Sequence, residues 1–307
     1  MLPDLPAHLQ RWCATEIGAP PVALVMTAGH LSQVYAVELA DGRRVVLKAR
    51  PAAGRLRACW LVQQRLHAAG FPCPRPLAGP AGLGGQVVTA ESYVADAQPL
   101  PPGPGTVPVY ARLLQQLVRQ APPAGSCAEL CPAPPWAGWD HDERGTWPRP
   151  DDLDADLNAL PGPPLIEEAG WRLRARMQAA AGLPPVIGHL DWEAHNLLWR
   201  RGAPVAVLDW DSVAIRPEAA VAGAAAAVFP SFGGTVAATI EESGSFLAAY
   251  QEARGAGFSR AEMQIAWAAG AWVLAFNARK ESVTSADGPY QRHLAAEITQ
   301  RLRLAGA

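Results

Sequence analysis

The feature that most constrains the fold is a pair of Asp-Trp dipeptides within residues 188–212, each at the end of a short apolar run. The first run leads to Asp191 and is followed by Asn196, and the second ends at Asp209. Residues 197–209 predict two short strands joined by a tight turn. Such a hairpin would bring Asn196 and Asp209 to the same end of two paired strands, with Asp191 on the preceding loop.

The residue types in this pattern indicate phosphate chemistry. One carboxamide and one carboxylate suit Mg²⁺, which takes few protein ligands and leaves room for phosphate oxygens. A further carboxylate that does not bind the metal suits the orientation and deprotonation of a hydroxyl nucleophile. The pattern therefore predicts a kinase site, with Asp191 as the base and Asn196 and Asp209 as metal ligands. Any one of these residues alone would more often be a turn or cap residue, so the interpretation depends on their order and spacing.

Composition excludes several other classes of protein. Half of the 307 residues are hydrophobic and 18% are charged, which predicts a packed core and excludes global disorder. The formal net charge of −2 gives no indication of a nucleic-acid partner. The longest apolar stretches, at 219–230 and 263–276, are shorter than the roughly 20 residues that a membrane helix needs, so no membrane partner is expected.

The cysteines and the N-terminal residues predict a cytoplasmic protein. Five cysteines, an odd number spread along the chain, favour reduced thiols. The first residues lack the basic segment and apolar run of a signal peptide. Cys127, Cys131 and His141 could form part of a zinc site, but no fourth ligand follows at a recognised spacing.

Patterns along the chain predict an α+β protein. Residues 21–50 contain three strand-like runs, with an Asp-Gly hairpin signal between the last two. A helix is expected at 55–69 and a further strand at 86–94, which gives a small antiparallel sheet with one helix. Residues 95–164 are rich in Pro, Gly and Trp around one helix, and the rest of the chain is mainly helical.

The catalytic segment resembles that of the aminoglycoside phosphotransferase and choline kinase family, which is related to the protein kinases. The family pattern His-Gly-Asp-x-x-x-x-Asn followed by Ile-Asp-Trp-Glu corresponds here to His189-Leu190-Asp191 through Asn196 and to Leu208-Asp209-Trp210-Asp211. The resemblance implies a two-lobed protein-kinase-like fold. Residues 1–94 would form the nucleotide-binding lobe, and residues 95–307 the helical lobe with the catalytic loop and the substrate site. It also implies a supporting role for His189 and a second-shell or substrate contact for Asp211.

The same resemblance implies nucleotide-binding residues in the N-terminal part. Gly29 and Ser32 lie in the segment expected to cover the nucleotide, and Lys48 corresponds to the lysine that pairs with the α- and β-phosphates. Glu91 to Tyr93 would form the linker whose backbone meets the adenine edge.

Three departures from the family pattern accompany these matches. No acidic residue lies between Lys48 and Glu91 to serve as the usual helix partner of the lysine. Lys48 must therefore be held by another group or move when nucleotide binds. Leu190 replaces the usual glycine and requires an ordinary backbone conformation. The hairpin that covers the nucleotide has one glycine, Gly29.

The favoured function is transfer of the γ-phosphate of ATP or GTP, with Mg²⁺, to a hydroxyl of a small molecule such as an antibiotic, an amino alcohol or a sugar-like metabolite. The missing helix glutamate favours an alternative, a degenerate kinase-like protein that binds nucleotide or a small ligand without catalysis. A hydrolase that uses Asp191 is disfavoured, because no Ser- or Cys-centred nucleophile motif accompanies it.

Overall fold

The structure is a computed structural model that describes residue 2 and residues 4–29, 31–103, 105–179 and 182–307. The chain divides into two compact units. The first consists of Met1–Gln98 and Leu198–Asp211, and the second of Pro99–Leu197 and Ser212–Ala307. Asp209 and its Asp-Trp dipeptide therefore belong to the same unit as the N-terminal strands, whereas Asp191 belongs to the second unit.

The first unit contains a five-stranded antiparallel sheet in the order β1-β2-β3-β5-β4. Its strands are β1 (Pro21–Ala28), β2 (Gln33–Leu39), β3 (Arg44–Pro51), β4 (Pro76–Leu83) and β5 (Gln86–Ser92). The predicted hairpin between β2 and β3 is present. Its turn is closed by Asp41, whose Oδ1 accepts a hydrogen bond from the backbone N–H of Arg43 at 3.0 Å, and Gly42 adopts the positive φ of 82° that such a turn favours.

Strand β4 was not predicted from the sequence, because its residues PLAGPAGL include two prolines and two glycines that are poor strand formers. Pairing with β5 decides its conformation. Gly79 has φ +97° and approaches β5 so closely that a Cβ there would lie 2.5 Å from the carbonyl oxygen of Val88. Only glycine fits this position, and the contact allows β4 to complete the sheet.

In the described part of the first unit, two α-helices accompany this sheet, α1 (Ala7–Trp12), which continues as a π-helical turn over Cys13–Ile17, and α2 (Leu56–Ala68). Helix α1 packs on one face through Leu9 and Trp12, which join a buried cluster that includes Leu47 and Ala49 of β3. Successive side chains of a strand point to opposite faces of the sheet. The intervening polar residues of β3, Lys48 and Arg50, therefore lie on the face away from α1.

Five short strands lie outside this sheet: β6 (Gln98–Pro99), β7 (Pro185–His189), β8 (Leu197–Arg200), β9 (Ala203–Val207) and β10 (Val213–Pro217). Strands β8 and β9 form the predicted hairpin, with β6 beside β8. Strand β7 pairs antiparallel with β10. The loop that carries Asp191 therefore begins at the end of β7 and ends at the start of β8.

Among the described residues, six α-helices build most of the second unit: α3 (Val107–Gln120), α4 (Pro164–Gln178), α5 (Glu218–Val228), α6 (Ile240–Arg254), α7 (Arg260–Thr284) and α8 (Pro289–Ala305). Helices α6 and α7 begin with capping boxes, Thr239 with Glu242 and Ser259 with Glu262. These satisfy backbone N–H groups that have no partner within the helix. Helix α5 begins at Glu218, because the residues up to Pro217 form β10 and pair with β7.

Helix α7 lies at the centre of the second unit and packs on α4, α5 and α8. Its contact with α5 requires small residues, since a Cβ at Gly223 would lie 1.9 Å from the carbonyl oxygen of Ala266. Trp267 and Trp272 of this helix are both buried and belong to the core. Among the described residues, none of the helices has the length and apolar composition that a membrane crossing requires.

Candidate active site

The polar face of the N-terminal sheet holds an ion pair between neighbouring strands. Lys48 Nζ on β3 lies 3.2 Å from Glu91 Oε1 on β5. The strand register places Lys48 opposite Thr89 and Glu91 opposite Val46, so the two charged side chains are diagonal neighbours on one face. Glu91 was predicted to lie in a linker, and this is wrong. It is a buried residue of β5, with only 5% of its surface exposed.

This ion pair supplies the acidic partner of Lys48 that is missing from helix α2. The carboxylate comes from β5, and helix α2 contributes an amide in place of an acid. Gln63 Nε2 donates to Glu91 Oε2 at 3.0 Å and to the carbonyl oxygen of Pro74 at 3.1 Å. Each carboxylate oxygen of Glu91 therefore has one defined partner, and the side chain is held from both a strand and a helix.

Lys48 lies in an acidic environment. Burial by itself would lower the pKa of Lys48, but three carboxylates outweigh that effect and raise the pKa above its usual value. They belong to Glu91, Asp209 and Asp211. Lys48 is therefore a stable cation at neutral pH, as contact with phosphate oxygens requires.

Asp209 and Asp211 follow β9 in a tight turn. Asp209 has φ +56°, a left-handed conformation that costs energy for a residue with a side chain. The adjacent Trp210 is buried, donates from Nε1 to the carbonyl oxygen of Val207 at 2.9 Å, and packs edge-on against Phe71. These contacts anchor the turn and hold the strained backbone at Asp209.

Asp211 is tied to the same sheet face by Arg50. Arg50 Nη1 lies 3.0 Å from Asp211 Oδ2, and Arg50 Nη2 donates to Thr89 Oγ1 at 3.3 Å. Burial raises the pKa of Asp211, and the positive charges of Arg50 and Lys48 oppose that shift. Asp211, predicted as a supporting residue, therefore links the turn after β9 to β3.

In the second unit, the loop after β7 brings Asp191 and Asn196 into direct contact. Asn196 Nδ2 donates to Asp191 Oδ2 at 2.7 Å and to the backbone carbonyl of Asp191 at 3.1 Å. Because its nitrogen is used in this way, the amide oxygen of Asn196 is the atom left to bind a cation. Asn196 is buried and Asp191 is half-buried, so the contact is only partly screened by solvent.

His189 and its neighbours support this loop. His189 is fully buried, and its Nδ1 accepts a hydrogen bond from the backbone N–H of Asp191 at 3.3 Å. Its ring packs edge-on against Trp192, which in turn donates to the carbonyl oxygen of Tyr110 at 3.2 Å. His189 thus fixes the backbone at Asp191 rather than presenting its ring to solvent.

Leu190 shows how the loop tolerates the absence of the usual glycine. Among the described residues other than glycine, a positive φ occurs only at Asp96, Arg201 and Asp209, so Leu190 has an ordinary backbone conformation. Its carbonyl accepts a hydrogen bond from Trp136 Nε1 at 2.9 Å, and its side chain is buried. The substitution therefore places a core side chain beneath the loop.

Strand β1 and strand β2 are joined by the loop that contains the predicted Gly29 and Ser32. Gly29 has φ +150°, and a Cβ there would lie 2.0 Å from the carbonyl oxygen of Ser32. Glycine is therefore required for the tight path of this loop, and His30 between them lies outside the described residues. Tyr93 directly follows β5, and its backbone N–H donates to the carbonyl oxygen of Arg44 at 3.1 Å.

Other polar groups near Asp191 were not predicted as site residues. Glu193 is mostly buried, and its Oε2 lies 3.2 Å from His195 Nδ1. Burial and the negative charge of Glu193 raise the pKa of Tyr290, which also bonds to Ser231 and is influenced by Asp191. Glu193 stands inside the His-x-Asp-x-x-x-x-Asn pattern, so its position was visible in the sequence. Tyr290 is far away along the chain and carried no such signal.

The residues present have the chemistry for a Mg²⁺ ion. In the part of the chain that the structure describes, no group of three or more His, Cys, Asp and Glu side chains is arranged to bind a metal. Mg²⁺ needs only one or two protein ligands when phosphate supplies others. The amide oxygen of Asn196 and the carboxylate of Asp209, in a turn held in a strained conformation, are oxygen donors of the required type.

Solved structures with the same architecture identify the fold as kinase-like. A spectinomycin phosphotransferase determined with ADP and spectinomycin matches with a TM-score of 0.57 and 12% identity, covering 99% of this chain and 94% of that one. The choline kinase LicA from Streptococcus pneumoniae matches with a TM-score of 0.58 and 14% identity, covering 96% and 97%. An ethanolamine kinase from Plasmodium vivax matches with a TM-score of 0.60 and 10% identity, covering 92% and 83%. The predicted α+β kinase-like fold is confirmed.

The sequence itself gives the family. Residues 24–263 match the phosphotransferase enzyme family, and the chain belongs to it. No curated protein matches the chain. The predicted resemblance to the phosphotransferases of aminoglycosides and of choline is therefore confirmed at the level of the family.

Proposed function

We propose that this phosphotransferase moves the γ-phosphate of ATP or GTP to a hydroxyl group of a small molecule in the cytoplasm. The observation that carries the proposal is the partly buried contact between Asn196 and Asp191, in which Asn196 Nδ2 donates to Asp191 Oδ2 at 2.7 Å. A hydrogen bond from a neutral amide orients the carboxylate but leaves it able to accept a proton. The family membership supports the reaction class, and the three solved relatives are named for antibiotic, choline and ethanolamine substrates.

Asp191 is assigned as the base. Its backbone is fixed by His189 and its carboxylate is oriented by Asn196, so the side chain is held in position to accept a hydrogen bond from the acceptor hydroxyl. Phosphoryl transfer depends mainly on positioning and charge stabilisation, and a base held in one orientation meets the first of these needs.

Asn196 and Asp209 are assigned as the ligands of Mg²⁺, which when bound neutralises phosphate charge during transfer. The motif and the donor chemistry of the two residues support this assignment. Asp211 is assigned a supporting role, because its ion pair with Arg50 holds the turn that contains Asp209.

Nucleotide binding is assigned to residues 1–94 and catalysis and acceptor binding to residues 95–307, with Asp209 added to the nucleotide side by the returning segment of the first unit. Lys48 would contact the α- and β-phosphates, and the loop of Gly29 and Ser32 would cover them. Glu91 acts on Lys48 through its side chain, and Tyr93 remains the candidate for a contact with the base of the nucleotide.

The alternative of a degenerate kinase loses its main support. That hypothesis depended on the absence of an acidic partner for Lys48, and Glu91 provides one at 3.2 Å. A kinase-like protein that only binds ligand is now an outcome of the experiment below, without an observation that favours it.

The test is turnover of an Asp191→Asn variant. Nucleotide consumption by the wild type would first be screened with Mg²⁺ and either ATP or GTP over spectinomycin, a macrolide, choline, ethanolamine and a wider set of hydroxylated metabolites. Asparagine keeps the shape of Asp191 and can still accept the hydrogen bond from Asn196, but it cannot take a proton. We expect turnover on the accepted substrate to fall by roughly 10²–10⁴-fold, the usual contribution of a general base.

Two results would contradict this proposal. If Asp191→Asn retains wild-type turnover, Asp191 is not the base. If the wild type binds Mg²⁺ and nucleotide but phosphorylates no acceptor in the set, the protein is a binding module. Asp154→Asn is the matched control, because the Asp154 side chain is 95% exposed and forms an ion pair with Arg149 at the surface.

A further inference from the structure

We propose that Glu91 on β5, held by Gln63 on α2, is the positioning residue that fixes Lys48 for contact with the nucleotide phosphates. The inference rests on the proposed function and adds two residues to it. Neither residue would touch the nucleotide. Both would act through the ammonium group of Lys48.

The first support is the geometry of the carboxylate. One oxygen of Glu91 lies 3.2 Å from Lys48 Nζ, and the other accepts a hydrogen bond from Gln63 at 3.0 Å. With both oxygens engaged by different elements, the side chain has little freedom to rotate. Lys48 therefore meets a carboxylate in a fixed orientation.

The second support is burial. The side chains of Lys48 and Glu91 are 14% and 7% exposed, and Gln63 is 2% exposed overall. A surface ion pair contributes little, because solvent screens it and the long side chains must be ordered. A buried pair with further hydrogen bonds is more strongly coupled, so loss of one member affects the other.

The third support is the division of charges on this face. Asp211 is paired with Arg50 at 3.0 Å, and Glu91 lies at hydrogen-bonding distance from Lys48, 3.2 Å from its Nζ. The sequence from residue 49 to residue 90 contains no acidic residue, so α2 cannot supply a carboxylate. The strand pair β3–β5 supplies it instead.

This arrangement builds the lysine anchor into the sheet. Strands β3 and β5 are hydrogen-bonded neighbours from Val45 to Pro51, so Lys48 and Glu91 are brought together by strand register. Helix α2 contacts the pair through the amide of Gln63. Lys48 is therefore held in place before the nucleotide arrives.

The experiment measures binding of Mg²⁺-ADP by calorimetry, which requires no acceptor. Glu91→Gln keeps the shape of the side chain and removes its charge, and we expect it to weaken nucleotide binding about tenfold or more, as for loss of a hydrogen bond to a charged group. Gln63→Met removes the orienting amide and should weaken binding by less. Glu38→Gln is the matched control, because Glu38 pairs with Arg44 in an ion pair whose side chains are 37% and 51% exposed.

A double-mutant cycle tests whether Glu91 acts through Lys48. In a Lys48→Met background, Glu91→Gln should produce little further loss of nucleotide affinity. An equal loss in both backgrounds would overturn the inference, because it would indicate a general structural effect. Unchanged affinity of Glu91→Gln in the wild-type background would overturn it as well.

Two further measurements keep the outcome clear. If Glu91→Gln does not fold, Glu91→Asp is the replacement variant, because it keeps the charge but draws it back by one methylene. We expect Glu91→Asp to lose an intermediate amount of nucleotide affinity. Unchanged affinity of this variant would refute the positioning role. If the wild type binds neither Mg²⁺-ADP nor Mg²⁺-GDP, the proposed function itself fails. Normal wild-type binding together with a neutral Glu91→Gln variant defeats only the positioning role.

Discussion

Replacement of Lys48 by methionine should destabilise the protein even when no nucleotide is present. Methionine keeps most of the length and the apolar stem of lysine but removes its charge. Glu91 would then remain as a buried carboxylate with one neutral donor, Gln63 Nε2, at 3.0 Å. The carboxylates of Asp209 and Asp211, whose charges act on Lys48, would also lose a nearby cation.

The size of the effect follows from the burial of the pair. Removal of one member of a buried ion pair costs roughly 3–5 kcal/mol, because the other charge is left without compensation. The bond from Gln63 to Glu91 and the 14% exposure of Lys48 place this site at the low end. We expect a loss of about 3 kcal/mol in the free energy of unfolding. Since the pKa of Lys48 is raised in the folded state, the full contribution is present at neutral pH and declines only as the pH rises through that value.

The assay is urea unfolding of Lys48→Met, Glu91→Gln and the double variant, at neutral pH without nucleotide or Mg²⁺. Lys48→Met should lower the unfolding free energy most. The double variant Lys48→Met with Glu91→Gln should be more stable than Lys48→Met alone, because a neutral buried pair has no uncompensated charge. A loss below about 1 kcal/mol for Lys48→Met, the scale of an exposed pair, would refute the reasoning. So would a double variant whose loss equals the sum of the two single losses.

Two other predictions concern the metal ligands and the thiols. Stabilisation of the wild type by ATP or GTP against heat should require Mg²⁺, because a ligand stabilises the folded state by mass action. Asp209→Asn should abolish the Mg²⁺-dependent part of the thermal shift. Equal thermal shifts with and without Mg²⁺ in the wild type would contradict the metal assignment. Cys131, the exposed member of the five free cysteines, should react rapidly with a thiol reagent at pH 8 in the native protein. Burial raises the pKa of Cys13 and Cys59 to about 11 and that of Cys73 to about 12. These thiols should therefore react only after unfolding. Rapid modification of several thiols in the native protein would contradict this expectation.

The sequence by itself determined the fold class and the loop that carries Asp191 and Asn196. Strands β2 and β3, their Asp-Gly turn and the hairpin β8–β9 are specified by local patterns of apolar and turn residues. The motif placed Asp191 and Asn196 in the same short loop, and only four residues separate these two side chains, which meet at 2.7 Å. The long helices of the second unit follow from their apolar residues and capping signals.

Only the tertiary structure decided which group holds Lys48. The local pattern predicts a strand at 86–94 that includes Glu91, but it does not tell which strand this one pairs with or which residues lie beside each other. Strand β5 ends at Ser92, and its pairing with β3 directs Glu91 to the face of Lys48. Strand β4, which lacks strand propensity of its own, likewise forms because β5 offers it a hydrogen-bonding edge. Strand register joins residues far apart in the chain, and for that reason the partner of Lys48 could be found only in the folded molecule.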